Sequence, residues 1–229
     1  MTVIDERIVS QEHAAEARWL AAWLAGPKRT RWQTVPPQVG DAAPDLALPD
    51  SNGHVRQLSD FWRERPALVL LLRHFGCSCL TARWERLQKE IPAYEAAGTS
   101  VVAIVQAEPE RTHAVAQRRG YSFPILCDPD RVAYERYGVL EGLPAQILHN
   151  FPWKPNDRVA GEHMLAARRG TERALVDDPW QLPAEFLVWT DGRLGHVHRG
   201  QYCEDFPPQT VLLGAMAAGP SGPPAVAPG

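Results

Sequence analysis

The stretch Ala67-Leu-Val-Leu-Leu-Leu-Arg-His-Phe-Gly-Cys-Ser-Cys79 constrains this chain more than any other. An apolar run of strand length that ends near a glycine and gives way to helical periodicity reads as a strand buried on both faces. Its end delivers Cys77 and Cys79 to a strand-to-helix turn, which becomes the candidate working site.

The flanking pattern supports that reading. Leu80, Trp84, Leu87, Ile91 and Tyr94 recur at helical spacing to about Ala97, with Pro92 placed to kink the last turn. Residues 100–106 read as a second buried strand, Pro109 to Arg119 as a helix stopped by Gly120, and 122–127 as a third strand. Asp128-Pro129 then offers an N-cap and a first-turn proline for a helix through Tyr137. Alternating strands and helices predict an α/β domain with parallel neighbours in a central mixed sheet.

Upstream, Ser10 is placed to cap a helix running to about Leu24. Its Trp19 and Trp23 share one side and would pack on the core or on a second subunit of a homodimer. A proline-rich connector, 31–44, leads to a hairpin of 46–48 with 55–58 around Asn52-Gly53, after which Ser59 could cap a short turn. Beyond Leu143 the pattern breaks. Residues 144–180 read as an insertion over one face with one short helix at about 162–168, and a loop of that length inside a domain is usually a functional lid or poorly ordered. Pro183 precedes a strand at 184–189, Asp191-Gly192 turns into another at 193–198, and a helix at 207–217 closes the pattern. The expected division is an N-terminal helix and connector at 1–37, a domain at 38–218 and a disordered, low-complexity tail at 219–229.

Composition narrows the function. With 229 residues and 45% apolar side chains the chain can bury one sizeable core, and a net charge of −3 gives no reason to expect nucleic acid or an anionic membrane as partner. The charged N-terminus lacks the features of a secretory signal and no apolar run reaches transmembrane length, so a cytoplasmic protein is expected. There is no Gly-rich phosphate loop and no Gly-x-Ser-x-Gly elbow to support phosphoryl transfer or α/β-hydrolase chemistry. Four cysteines in a reducing compartment point to catalysis or metal binding rather than a disulfide framework.

A thiol is a useful nucleophile only as thiolate, and a helix N-terminus beside cations lowers its pKa. Cys77 has both in prospect, since Arg73 and His74 precede it and a helix begins there. Residues i and i+2 of a helix do not face each other, so pairing with Cys79 requires Cys77 to stay non-helical, in a small and readily reduced ring. Alternatively Cys79 merely fills space. A metal reading uses His74, Cys77 and Cys79 with Cys203, His196 or His198 as fourth ligand for zinc or copper(I), although the spacing is not that of a structural zinc site. Cys127 reads as core rather than resolving thiol, Cys203 as an exposed loop thiol for which a second-cysteine role is open but not favoured, His196 and His198 as one strand face, Asp177-Asp178 as a solvated turn, and Arg168-Arg169 as a solvated pair unless the insertion folds over the site.

These residues resemble the alkyl hydroperoxide reductase/thiol-specific antioxidant superfamily, in particular its peroxiredoxin-like branch. The matching pieces are Gly40-Asp-Ala-Ala-Pro-Asp-Leu46, Arg73-His-Phe-Gly-Cys77, Phe123-Pro-Ile-Leu-Cys-Asp-Pro-Asp130, Tyr137-Gly-Val139, Gln181-Leu-Pro-Ala-Glu-Phe-Leu-Val188, Asp191-Gly-Arg193 and His198-Arg-Gly200. The resemblance implies a thioredoxin-like fold and thiol-dependent reduction of a small-molecule peroxide or disulfide, with no cofactor and with a thiol reductant or thioredoxin-like protein for recycling. It implies that Cys77 is the reactive cysteine, with Cys79 in prospect as resolving thiol, and that Pro183 stands where such folds often keep a cis-proline beside the site. Three positions depart from the pattern. Only Ser78 separates the cysteines where the branch more usually has Cys-x-x-Cys, His74 replaces a Thr or Ser, and Pro183-Ala-Glu185 stands where an arginine is expected. Arg73 or Arg199 would then supply the cation. A redoxin fold recruited to specialised small-molecule metabolism is a further reading.

Overall fold

The structure, a computed structural model, describes residues 6–147 and 157–220, with side chains from residue 13 onward. Its centre is a five-stranded sheet of order β5-β4-β3-β6-β7, built from Ile125–Cys127 (β5), Ser100–Val105 (β4), Ala67–Leu71 (β3), Ala184–Val188 (β6) and Leu194–Arg199 (β7). β3, β4 and β5 run parallel, and β6 and β7 are antiparallel to their neighbours, giving the expected mixed sheet. A separate two-stranded hairpin pairs Ala47–Pro49 (β1) with Val55–Gln57 (β2).

The apolar run accounts for β3's central place. Every residue from Ala67 to Leu72 is fully buried, so the strand has apolar partners on both faces. Ala67, Val69 and Leu71 pack with Tyr134, Tyr137 and Phe186 on one side. Leu68, Leu70 and Leu72 pack with Leu80, Trp84 and Leu87 of α2 (Ser78–Ala96) and with Leu212 of α7 (Gln209–Ala218) on the other. Of the other helices on the sheet, α3 (Pro109–Arg119) ends on Gly120 in the left-handed conformation, at φ 65°, and α4 is Val132–Arg136.

A third apolar cluster joins the N-terminus to the insertion. α1 (Glu6–Ala25) brings Trp19 and Trp23 against Met164 and Leu165 of α6 (Arg158–Arg168) and against Leu175 and Trp180. The Trp19, Trp23 and Trp180 rings stack in series at 5.5 and 5.2 Å. Gly161 permits this approach, because a Cβ there would stand 2.7 Å from Leu20 Cδ1 and 2.9 Å from Trp23 Cδ1. The tryptophans therefore pack on the insertion of their own chain.

Several local expectations change. Ser10 lies inside α1 and does not cap it. The turn at Leu58–Phe61 is not capped by Ser59, whose N–H donates instead to Asp45 at 2.8 Å. Pro92 is carried within α2, which continues to Ala96. Asp128-Pro129 does not open α4: the chain first turns through Arg131 at φ 59°, and the Asp128 carboxylate accepts from Val132 and Ala133 N–H groups at 2.9 and 2.8 Å. Among the described residues the insertion carries two helices, α5 (Pro144–Ile147) and the longer α6, whose N-cap Asp157 accepts from Val159 and Ala160. Pro183 precedes β6, which lies between β3 and β7, and there is no cis peptide bond among the described residues. The predicted tail falls, from residue 221, outside the described residues. No helix among them is long and apolar enough to cross a membrane.

Candidate active site

After β3 the chain continues buried through Arg73 and His74 and reverses at Phe75-Gly76, where Cys77 N–H donates to the His74 carbonyl at 3.0 Å. Cys77 is the N-cap of α2 and keeps an extended backbone, φ −80° and ψ 132°, while Cys79 sits in the first helical turn. This is the conformation that pairing across one residue demands. The two sulfurs are bonded, with Cα atoms 5.3 Å apart. Cys77 is half-buried and Cys79 buried.

A cavity of about 260 Å³ opens beside them. Arg73, His74 and Cys203 line its polar side, and Trp19, Met164 and Leu175 line its apolar side. Arg73 is only 2% exposed and is fixed by donating to the carbonyls of Gln181 at 2.7 Å and Pro179 at 2.9 Å. Burial lowers its pKa to about 10, which leaves it a cation at neutral pH. Its Nε has no hydrogen-bond partner among the described residues. Burial, then the guanidinium groups of Arg73, Arg111, Arg168 and Arg173, push His74 well below the usual imidazole value, so its ring is neutral. Its Nδ1 is likewise buried without a partner among the described residues.

The insertion grips the cysteine turn. Arg168 donates to the Gly76 carbonyl, and Arg173 donates to the same oxygen at 3.3 Å. A Cβ on Gly76 would lie 2.5 Å from Leu175 Cδ2 and 2.9 Å from His74 Nδ1, so only glycine lets the two segments meet. Arg168 is thus not solvated, the insertion having folded over the site, while Arg169 stays exposed and binds both oxygens of Glu16 at 2.9 and 3.0 Å. Asp177-Asp178 is not a solvated turn either. Asp177 receives both its oxygens' bonds from Arg111 at 2.8 Å, and Asp178 pairs with Arg131 at 3.0 Å. These contacts close one side of the site, which the sequence left open because nothing local tells where an insertion lands.

Chemically, the arrangement favours a thiolate at Cys77 when the disulfide is reduced. The orphan N–H groups of α2's first turn and the guanidinium groups of Arg73 and Arg168 in the cavity wall all favour negative charge there.

Other expected residues lie elsewhere. Arg199 donates to the carbonyls of Tyr137 at 2.8 Å and Pro37 at 2.5 Å and lies over the Phe186 ring, serving packing rather than the cavity. Pro183 is also absent from the cavity wall; Gly200 packs against its ring. His198 Nε2 is 3.1 Å from the Asp205 carbonyl oxygen, His196 is half-buried, and neither lines the cavity. Among the described residues no three His, Cys, Asp or Glu side chains come together to hold a metal ion. Glu185, in the stretch Pro183–Glu185 where the resemblance expects an arginine, is buried and pairs with Arg83 of α2 at 2.6 Å. Cys127 donates to Thr112 Oγ1 at 3.3 Å, away from the cavity, and burial pushes its thiol up to about 11. Cys203, read from sequence as an exposed loop thiol, is buried and lines the cavity, held by its N–H on the Gln146 carbonyl at 3.1 Å.

Residues 39–196 match the AhpC/TSA family. Among curated proteins, the chain is 22% identical over 187 residues to "Thioredoxin-like protein AAED1, chloroplastic" of Arabidopsis thaliana, covering 79% of this chain and 73% of that one. It is 29% identical over 176 residues to "Peroxiredoxin-like 2C" of Bos taurus, covering 75% and 77%. Among solved structures, peroxidoxin BcpB from Mycobacterium tuberculosis superposes with a TM-score of 0.57 at 18% identity, over 81% of this chain and 99% of that one.

Proposed function

The chain belongs to the AhpC/TSA family and is a peroxiredoxin-like oxidoreductase of the thioredoxin fold, and from that premise we propose that Cys77 attacks a peroxide and Cys79 resolves the product. The Cys77 thiolate displaces on the terminal oxygen of ROOH. The S–O bond forms as the O–O bond breaks, and the departing alkoxide takes a proton to leave as alcohol. Cys79 then attacks the sulfenic sulfur, the disulfide forms, and the hydroxyl group leaves as water with the Cys79 proton. A dithiol, small or carried on a thioredoxin-like protein, restores both thiols by exchange. Such turnover needs a reducing compartment, the cytoplasm on this reading.

The observation that carries the reading is the pairing of Cys77 with Cys79 at the mouth of α2, beside a buried arginine whose Nε is left without a partner among the described residues. On this reading Arg73 stabilises the charge that develops on the departing oxygen. Neutral His74 stands where the resemblance expects a Thr or Ser and hydrogen-bonds the peroxide.

The test is dithiothreitol-supported consumption of hydrogen peroxide, tert-butyl hydroperoxide and a small disulfide by wild type, Cys77→Ser and Cys79→Ser. Loss of peroxide turnover in Cys77→Ser supports the reading. Turnover confined to the disulfide would make the protein a disulfide reductase instead.

A further inference from the structure

Three of the chain's four cysteines, Cys77, Cys79 and Cys203, line one cavity. The third comes from the loop between β7 and α7, far away in sequence, and its sulfur makes a long contact, 3.7 Å, to the Ile147 carbonyl. Arg73, buried in the same wall with its Nε unpartnered among the described residues, gives the cavity a fixed cation. Burial raises the pKa of the Cys203 thiol, and the Arg73 guanidinium opposes that rise. The remaining cysteine, Cys127, lies outside this wall and is held on Thr112.

We propose that Cys203 is a third redox thiol, which takes the disulfide over from Cys77 and so returns the peroxide-reactive sulfur to its thiolate form before any external reductant arrives. The inference rests on the assignment of Cys77 and Cys79 above. The Cys203 thiol gives its proton to water and its sulfur attacks Cys79 Sγ. The Cys79–Cys203 bond forms as the Cys77–Cys79 bond breaks, and Cys77 leaves as thiolate. No oxidant or reductant is consumed, because one disulfide replaces another. Two features favour this direction of exchange. A disulfide releases more readily the sulfur whose thiolate is better stabilised, and Cys77 stands at the α2 N-terminus with Arg73 and Arg168 in the wall of the same cavity, whereas Cys203 has no helix N-terminus and shares only the arginine charge. The consequence is capacity: a single reduced chain can meet a second peroxide, which leaves Cys77 as the sulfenic acid.

The experiment titrates fully reduced protein with hydrogen peroxide without reductant, alkylates the remaining thiols, and maps peptides without reduction. The relay predicts a Cys79–Cys203 cross-linked peptide and uptake of about two equivalents of peroxide per chain, falling to about one in both Cys203→Ser and Cys203→Ala, with Cys127→Ser like wild type. The cross-link itself is read on wild type, so it does not depend on a variant folding. A Cys77–Cys79 disulfide with Cys203 fully alkylated overturns the relay and leaves the peroxidase reading standing. A Cys77–Cys203 peptide without any Cys79–Cys203 peptide overturns the proposed exchange. Absence of any oxidation at Cys77 overturns both.

Discussion

Arg168, in the last turn of α6, donates its guanidinium hydrogen bond to the carbonyl of Gly76, the residue immediately before Cys77. The insertion is therefore bonded to the turn that presents the cysteines. Through Gly161 and the stacked tryptophans, α1 in turn supports α6. Residues far from the thioredoxin-like sheet in sequence thereby set the charge and the shape of the site.

Removing that cation should make Cys77 less acidic. Arg168→Ala is expected to raise the midpoint of pH-dependent alkylation at reduced Cys77 by about half a unit to one unit, in line with the effect of neighbouring cations on thiols. The rate of iodoacetamide modification against pH, read by peptide mass, gives the midpoint. An unchanged midpoint would show that Arg168 acts only on the backbone.

Gly76→Ala should separate the insertion from the turn. The new Cβ would meet Leu175 Cδ2 at 2.5 Å and the Arg173 carbonyl oxygen at 3.1 Å, so a buried side chain and a main-chain segment must both give way. A loss of about 1–3 kcal/mol in urea denaturation is expected from overpacking, with earlier proteolytic cleavage in 157–180. A fully stable, protease-resistant variant would contradict the contact.

The Arg83–Glu185 pair is closed to solvent, and Arg83 also binds Glu90 at 2.8 Å. Glu185→Ala removes the charge-assisted hydrogen bond to Arg83 Nε and leaves Glu90 as that guanidinium's remaining carboxylate, so it is expected to cost about 1.5–3 kcal/mol. Arg83→Met combined with Glu185→Leu should lose less than Glu185→Ala alone, because no charge between the two remains unpaired. Urea midpoints for the three proteins decide it.

His74 predicts a pH dependence of stability. Its folded-state pKa lies well below the ordinary 6.5, first through burial and then through the surrounding arginines. Between those two values the unfolded chain binds more protons than the folded one, so this contribution is whole above about pH 6.5 and is lost as pH falls below it, at up to about 1.4 kcal/mol per pH unit. Urea midpoints of wild type should therefore drop through that window more steeply than those of His74→Asn. Parallel curves would place a charged imidazole in the folded protein.

Much of the scaffold was legible because its signals are local. An apolar run wide enough to be buried on both faces, Gly120 ending α3 and Asp191-Gly192 turning β6 into β7 each depend on a few adjacent residues. The cysteine turn was legible for the same reason. What could not be read was set at long range. Cys203 looked exposed because loops usually are, yet α5 covers it through Gln146. Arg168 and Asp177 looked solvated because their partners, Gly76 and Arg111, lie far from them in sequence. Of the two arginines expected as the site's cation, Arg73 lies in the cavity wall, whereas β7 turns Arg199 toward Tyr137 and Pro37, a choice that only long-range packing makes.

The central claim is that Cys77 is the sulfur that peroxide oxidises. Intact mass with peptide mapping, before and after one equivalent of peroxide on reduced wild type and Cys77→Ser, tests it most directly. The account predicts rapid formation of a disulfide at Cys77 in wild type and only slow oxidation in the variant. Equal oxidation rates in the two proteins, or a wild-type Cys77 still free to alkylate, would contradict it.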